Sequence, residues 1–252
     1  MTAPRLQFLG TGTAFHEDGR GSQCILVHPA AGSPFLVDLG PTAMAGVMRY
    51  GVDSDPLERL FVTHLHGDHV AGWPFLLLHL NFIDRRQRPF DVHGPLGVRD
   101  CLEGLMALCY PDVVEDPKLG FEVRYHELPV GAGEGLRAGE TSFDVLPMDH
   151  HPTSIGYCFD VDGTRVGISG DTRWCDDLER LARASDVLLL ECSSVRPHPH
   201  AHVSLGELRS GIDRLGDCAV VLIHLTDEVA AALAADPIAR VSASHDGLVY
   251  PL

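Results

Sequence analysis

The sequence predicts an α/β fold in which two β-sheets are sandwiched between outer helices. Three observations carry this. Short apolar, β-branched runs recur throughout the 252 residues and fall into two clusters, one in each half of the chain. Helical segments lie between the strand clusters, which suggests outer helices covering the sheets. Hydrophobic residues at 45% and charged residues at 21% are ordinary globular values, which excludes collagen-like, coiled-coil and disordered classes. The whole chain, 1–252, is expected to form one such domain.

The elements follow in order. Strands are expected at Leu6–Leu9, Cys24–His28 and Phe35–Val37, separated by Gly10-Thr11-Gly12 and the turn-rich Pro29–Pro34 stretch. Gly10-x-Gly12 is a tight turn and not a dinucleotide loop, because Phe15 stands where G-x-G-x-x-G needs its third glycine. A helix is expected after Pro41, a strand at Leu60–Thr63, and an apolar helix from Val70 to Leu80. Strand Phe90–His93, helix Leu96–Cys109 and strand Phe121–Leu128 close the first half. The second half reads as strands Ser142–Leu146, Ile155–Val161 and Arg165–Ser169, helix Asp176–Ala184, and strand Val187–Leu190. Ser204 and Glu207 form a capping box that starts a helix. Strand Ala219–Ile223 and helix Asp227–Ala234 complete the pattern.

The net charge of −16 opposes non-specific polynucleotide binding, which needs basic surface to displace counterions. Lys118 is the single lysine; Arg85, Arg86 and Arg88 form the one local basic run, expected to be a solvated loop. Seven cysteines without a C-x-x-C pair read as reduced, mostly buried thiols. The N-terminus carries no signal-peptide pattern and no apolar run is long enough to span a bilayer, so a cytoplasmic protein without membrane contact is expected.

The fifteen histidines carry the functional signal. Thr63-His64-Leu65-His66-Gly67-Asp68-His69 reads H-x-H-x-D-H between a strand and a helix. Four donor-type side chains then converge within six residues, with Gly67 allowing the tight turn. One metal needs three or four ligands and an adjacent second metal needs more. Asp149-His150-His151, Asp171 and His224 each lie just beyond a predicted strand and supply further donors. A carboxylate such as Asp171 can bridge two metals through its two oxygens. His28, His79, His93, His126 and His245 are expected to be surface or hydrogen-bonded core residues.

This order of motifs resembles the metallo-β-lactamase superfamily along nearly the whole chain, including Gly10-Thr11-Gly12-Thr13, Val37-Asp38-Leu39-Gly40 and Asp246-Gly247. Within it the chain is similar to the ribonuclease Z and cyclic-phosphodiesterase branch. His150 precedes Gly156-Tyr157 by six residues, Glu191 ends a strand as Leu190-Glu191-Cys192-Ser193, and His202-Val203-Ser204 precedes a helix. The resemblance implies a four-layer αββα sandwich holding two divalent metals, most often Zn2+, with Mn2+ or Fe2+ open to the same N/O donors. Carried over, His64, His66 and His150 bind one metal; Asp68, His69 and His224 bind the other; Asp171 bridges. His151 is the alternative to His150, and the spacing to Gly156 favours His150. Asp38 supports the histidine loop from behind.

Two close metals would acidify a water toward a pKa of about 7 and draw charge from phosphoryl oxygens. Asp68, His202 and Glu191 are therefore the candidate catalytic residues, with His202 as general acid oriented by Glu191. His202 lies in the run His198-Pro199-His200-Ala201-His202, so His200 remains an alternative.

The sequence departs from the branch at one point. Only 21 positions separate His150 from Asp171, where ribonuclease Z proteins of this type insert a tRNA-gripping arm. A small or cyclic nucleotide-type phosphodiester is thus the expected substrate, and structured tRNA is not. Ribonuclease Z-like RNA processing, or hydrolysis of an ester, lactone or sulfate ester, are the alternatives. Glu191-Cys192-Ser193 with His202 is closer to the phosphoribosyl cyclic-phosphate phosphodiesterases, but their early cysteine-rich zinc site is absent, since only Cys24 stands there. The apolar helix after the motif suggests a homodimer, as the family often forms.

Overall fold

A computed structural model describes residues 3–16, 18–115, 119–197 and 202–252. Lys118, His198 and His200 lie outside them.

The first sheet contains β1 (Arg5–Gly10), β2 (Cys24–His28), β3 (Phe35–Val37), β4 (Arg59–Phe61), β5 (Phe90–Pro95) and β6 (Val123–Leu128), with β14 (Val249–Pro251) beside β1. The second runs β7 (Gly133–Ala138), β8 (Thr141–Pro147), β9 (Ile155–Val161), β10 (Thr164–Ile168), β11 (Val187–Glu191), β12 (Ala219–Ile223) and β13 (Val241–Ala243). Each sheet is antiparallel on one side and parallel on the other: β3 to β6 are parallel, and so are β10 to β13.

Alternation along each strand builds three cores. In β2, Cys24 and Leu26 face the helices while Ile25 and Val27 face the other sheet. In β11, Leu188 and Leu190 face helices while Val187 and Leu189 face inward. Strands buried on both faces must be apolar throughout, which is why they read as continuous runs. Between the sheets lies an aromatic cluster of Phe35, Phe61, Phe143, Tyr157 and Phe159. Helices α1 (Ala43–Arg49), α2 (Gly67–Val70), α3 (Trp73–Leu78), α4 (Val98–Cys109) and α5 (Pro111–Glu115) belong to the first half. Helices α6 (Asp176–Arg183), α7 (Leu205–Gly211) and α8 (Asp227–Ala235) belong to the second.

Several expectations need correction. The single apolar helix expected over Val70–Leu80 is broken: α2 stops, α3 begins at Trp73, and a π-helical segment, His79–Ile83, extends it. Gly72 donates its N–H to Leu39 O instead of a helical carbonyl, and Pro74 has no N–H to offer. Strands β7, β13 and β14 were not foreseen, being short or glycine-interrupted. Arg86 is not solvated: its guanidinium donates to the carbonyls of Asp55, Leu57, Arg88 and Pro89. His93 is buried with its Nε2 unpartnered, stacked between Phe61 and His126. The seven cysteines are free thiols, four of them buried. No helix among the described residues is long and apolar enough to cross a membrane.

Candidate metal centre

The donors lie just past the ends of strands from both sheets, on one edge of the sandwich. The chain leaves β4 into His64, β10 into Asp171 and β12 into His224, all parallel strands; β8, an antiparallel strand, leads to His150. Ligands in α/β sheets gather beyond the carboxyl ends of strands for this reason. The sheets are pinned together here. Ile155 donates to Thr63 O at 3.0 Å, and the Tyr157 hydroxyl donates to Val62 O at 2.8 Å.

Asp38 organises the histidine loop. It is fully buried with φ of 57°, and its carboxylate accepts from the Thr63 N–H at 2.8 Å, from the Thr63 hydroxyl and from His69 Nδ1 at 2.8 Å. Because the Thr63 hydroxyl gives its proton to Asp38, its oxygen is free to accept from His64 Nδ1 at 3.1 Å. Both rings thereby donate through Nδ1 and turn Nε2 into the site. That is the arrangement by which an outer carboxylate fixes a metal-binding imidazole. Thr63 was not singled out from the sequence, although it directly precedes the motif.

Three groups of donors form among the described residues; Glu191, His202 and His224 make one, and the other two share Asp171. His64, His66, His150 and Asp171 make the first; Asp68, His69, Asp171 and His224 make the second, with the donor atoms of each group within 4.8 Å of one another. Asp171 Oδ2 stands 3.7 Å from His64 Nε2 and 3.8 Å from His150 Nε2. Its Oδ1 stands 3.4 Å from His69 Nε2 and 3.5 Å from His224 Nδ1. Asp68 Oδ2 is within hydrogen-bond distance of His224 Nε2 at 3.2 Å and stands 3.5 Å from His69 Nε2. Ligands about 2.1 Å from a tetrahedral metal stand about 3.4 Å apart, so these gaps suit a cation between them. His151 turns away to Thr153.

The donor atoms also suit a cation. His64 Nε2, His69 Nε2, His224 Nδ1 and Asp171 Oδ1 are buried and make no hydrogen bond. Bare imidazole nitrogens facing a carboxylate repel unless positive charge intervenes. Burial opposes charge on His69, but Asp171 and Asp38 outweigh it and hold its pKa well above the ordinary value. Burial also opposes ionisation of Asp171, but His224, His69 and His64 hold it well below the usual range. At His64, burial and the neighbouring His69 push the pKa well down.

Glu191 and His202 stand beside the two groups that share Asp171. Glu191 is fully buried at the end of β11, and its Oε1 accepts from Thr172 N at 3.0 Å, Val203 N at 3.2 Å and His202 Nδ1 at 3.0 Å. Burial and Asp171 raise its pKa, while His224 and the two backbone N–H groups oppose them. His202 is partly exposed, 3.9 Å from Asp171 Oδ2, with its ring 5.0 Å from that of His150. The structure therefore brings together His64, His66, Asp68, His69, His150, Asp171 and His224 with Glu191 and His202, and leaves His151 apart.

A family profile described as Anti-Pycsar protein Apyc1 matches residues 4–241. The chain belongs to that family. This Apyc1-family chain is 35% identical over 163 residues to a ribonuclease Z of Haloferax volcanii, a match covering 65% of the chain and 48% of that relative. It spans about half the length of the first curated relatives it matches. Its fold is that of human tRNase Z, short form, with a TM-score of 0.78 at 22% identity, covering 98% of this chain and 100% of the other. It is also that of a diphosphatase from the PhnP family, with a TM-score of 0.75 at 20% identity, covering 99% and 98%. The fold of the Apyc1-family chain is thus an αββα sandwich, shared also with a metallo-β-lactamase fold protein of Bacillus subtilis at a TM-score of 0.77 and 18% identity, covering 99% of each chain.

Proposed function

We propose that the chain is a dinuclear metal-dependent phosphodiesterase acting on a small or cyclic nucleotide-type phosphodiester. The observation that carries this is the sharing of Asp171 between two donor groups with the Glu191–His202 pair beside them. His64, His66, His150 and Asp171 Oδ2 would hold one ion, and Asp68, His69, His224 and Asp171 Oδ1 the other. When bound, two divalent ions, Zn2+ before Mn2+ or Fe2+, would supply Lewis acidity and a water acidified toward a pKa of about 7. The chain's own groups supply the rest. Asp38 and Thr63 fix the ring tautomers of His69 and His64. Glu191 accepts a hydrogen bond from His202 Nδ1 and orients the ring, leaving Nε2 to act on the leaving group. Water loses a proton to solvent and adds at phosphorus, the P–O bond to the alkoxide breaks, and His202 gives that oxygen its proton.

The PhnP-family diphosphatase shares the fold and acts on a phosphorus–oxygen bond, which supports phosphoryl chemistry. The curated relatives named ribonuclease Z favour a second reading, RNA processing, and fit the chain at least as well. Two features favour the smaller substrate. The interval between His150 and Asp171 is filled by β9 and β10, paired around an Asp162-Gly163 turn where an RNA-gripping arm would be inserted. The net charge is −16. Cyclic nucleotides and a structured pre-tRNA, offered side by side to the metal-loaded chain, separate the readings. Turnover of cyclic nucleotides alone is expected, and 3′ cleavage of the pre-tRNA at a comparable rate would replace this reading with the second.

A further inference from the structure

His224 is held in a strained conformation by residues from both ends of the chain. Its φ is 46°, in the left-handed region that residues with a side chain rarely adopt. Such a conformation persists where its surroundings over-determine it. The peptide after it is clamped: Leu225 N donates to Thr11 O at 3.0 Å. Thr11 is fully buried, and its hydroxyl donates to Asp246 Oδ1 at 2.7 Å while accepting from Arg20 Nη1 at 2.9 Å. Asp246 Oδ2 accepts from Gly21 N at 2.6 Å.

Arg20 ties down both flanks of the same turn. Its Nη1 also donates to Ser244 O at 3.0 Å, and Ser244 N in turn donates to Leu222 O at 3.0 Å, two residues before His224. Its Nε donates to Asp227 Oδ1 at 2.8 Å, three residues after. The backbone around His224 is thus fixed at Leu222, Leu225 and Asp227 by one connected network.

We infer that Thr11, Arg20 and Asp246 are positioning residues for His224, setting its ring against Asp68 and Asp171. The inference rests on His224 being a metal donor, and it gives the Gly10-Thr11-Gly12 turn and the late Asp246-Gly247 a shared task. The network brackets the second donor group, and none of its hydrogen bonds reaches His64, His66 or His150. Its loss therefore weakens one metal site and spares the other.

The test is calorimetric titration of the metal-stripped full chain with Zn2+, paired with the absorption spectrum of the Co2+ form. Thr11→Val, which keeps the shape and removes the hydroxyl, is expected to weaken one of two binding events by about 10–100-fold, the usual effect of losing an outer partner. The other event and the melting temperature are expected to stay at wild-type values, and the Co2+ spectrum to change for one site. Arg20→Gln, at a partly exposed position, is expected to do the same, and Thr11→Ser to restore both events. Two unchanged events in Thr11→Val and Arg20→Gln, or equal weakening of both events with a lowered melting temperature, would overturn the inference. Fewer than two events in the wild type would instead overturn the two-metal reading beneath it.

Discussion

Glu191 Oε1 and His202 Nδ1 meet at 3.0 Å, and the same oxygen also accepts the backbone N–H groups of Thr172 and Val203. Thr172 follows Asp171 and Val203 follows His202, so one carboxylate fixes the Asp171 loop and the candidate acid together. A side chain held this way is placed for proton transfer. His202→Ala is expected to keep both metals and lose about 10²–10⁴-fold in kcat. Metal counting beside steady-state rates checks this; wild-type turnover would remove His202 from the role.

Asp171 is common to two of the donor groups. Asp171→Ala is expected to lose both metals and all hydrolysis, as read by elemental analysis of the purified variant. Two retained metals with full activity would take Asp171 out of the bridge.

Asp38 accepts hydrogen bonds from His69 and Thr63, and Thr63 accepts from His64. Asp38→Ala frees both rings to take the other tautomer. Metal affinity is expected to fall about 10–100-fold at both sites, measured by competition with a chromophoric chelator. Unchanged affinity would mean that the rings are oriented by packing alone.

Gly170 precedes Asp171 at φ of 59°, where a Cβ would come 2.7 Å from that of Thr63. Gly170→Ala adds left-handed strain of about 1–2 kcal/mol and displaces Thr63. A lower melting temperature together with weaker metal binding is expected; a lower melting temperature alone would mean that Thr63 absorbs the change.

His93 sets an acid limit on stability away from the metals. Burial, then His126 and Arg59, push its pKa down to about 4, with only Asp91 opposing. The unfolded chain protonates this ring near pH 6.5 and the folded chain does not, so its contribution is intact above pH 6.5 and is lost as pH falls toward 4. At pH 5 the loss is roughly 2 kcal/mol. His93→Phe keeps the stack on Phe61 and is expected to flatten the change in denaturation midpoint between pH 7 and pH 5. An unchanged slope would assign the acid sensitivity elsewhere.

The sequence disclosed the layers and the donors because both follow local rules. Two-sided burial made β2, β9, β11 and β12 apolar runs, and metal chemistry concentrated His64, His66, Asp68 and His69 in one turn. What it hid depends on distant partners. The break between α2 and α3 exists because Leu39 O reaches Gly72 N, and no periodicity records that contact. The short edge strands β13 and β14 acquire their pairing only from β12 and β1. Arg86 looked solvated because the four carbonyls that bury it come from backbone, which carries no sequence signature.

The central claim is a two-metal centre that hydrolyses phosphodiesters. The most direct test follows bis(p-nitrophenyl) phosphate hydrolysis while the metal-stripped chain is titrated with Zn2+ and its bound metal is counted. The stripped chain is expected to be inactive, with the rate rising to a plateau at two ions per chain. Hydrolysis that survives stripping, or a fully loaded chain that leaves the diester intact while cleaving p-nitrophenyl acetate, would contradict the account.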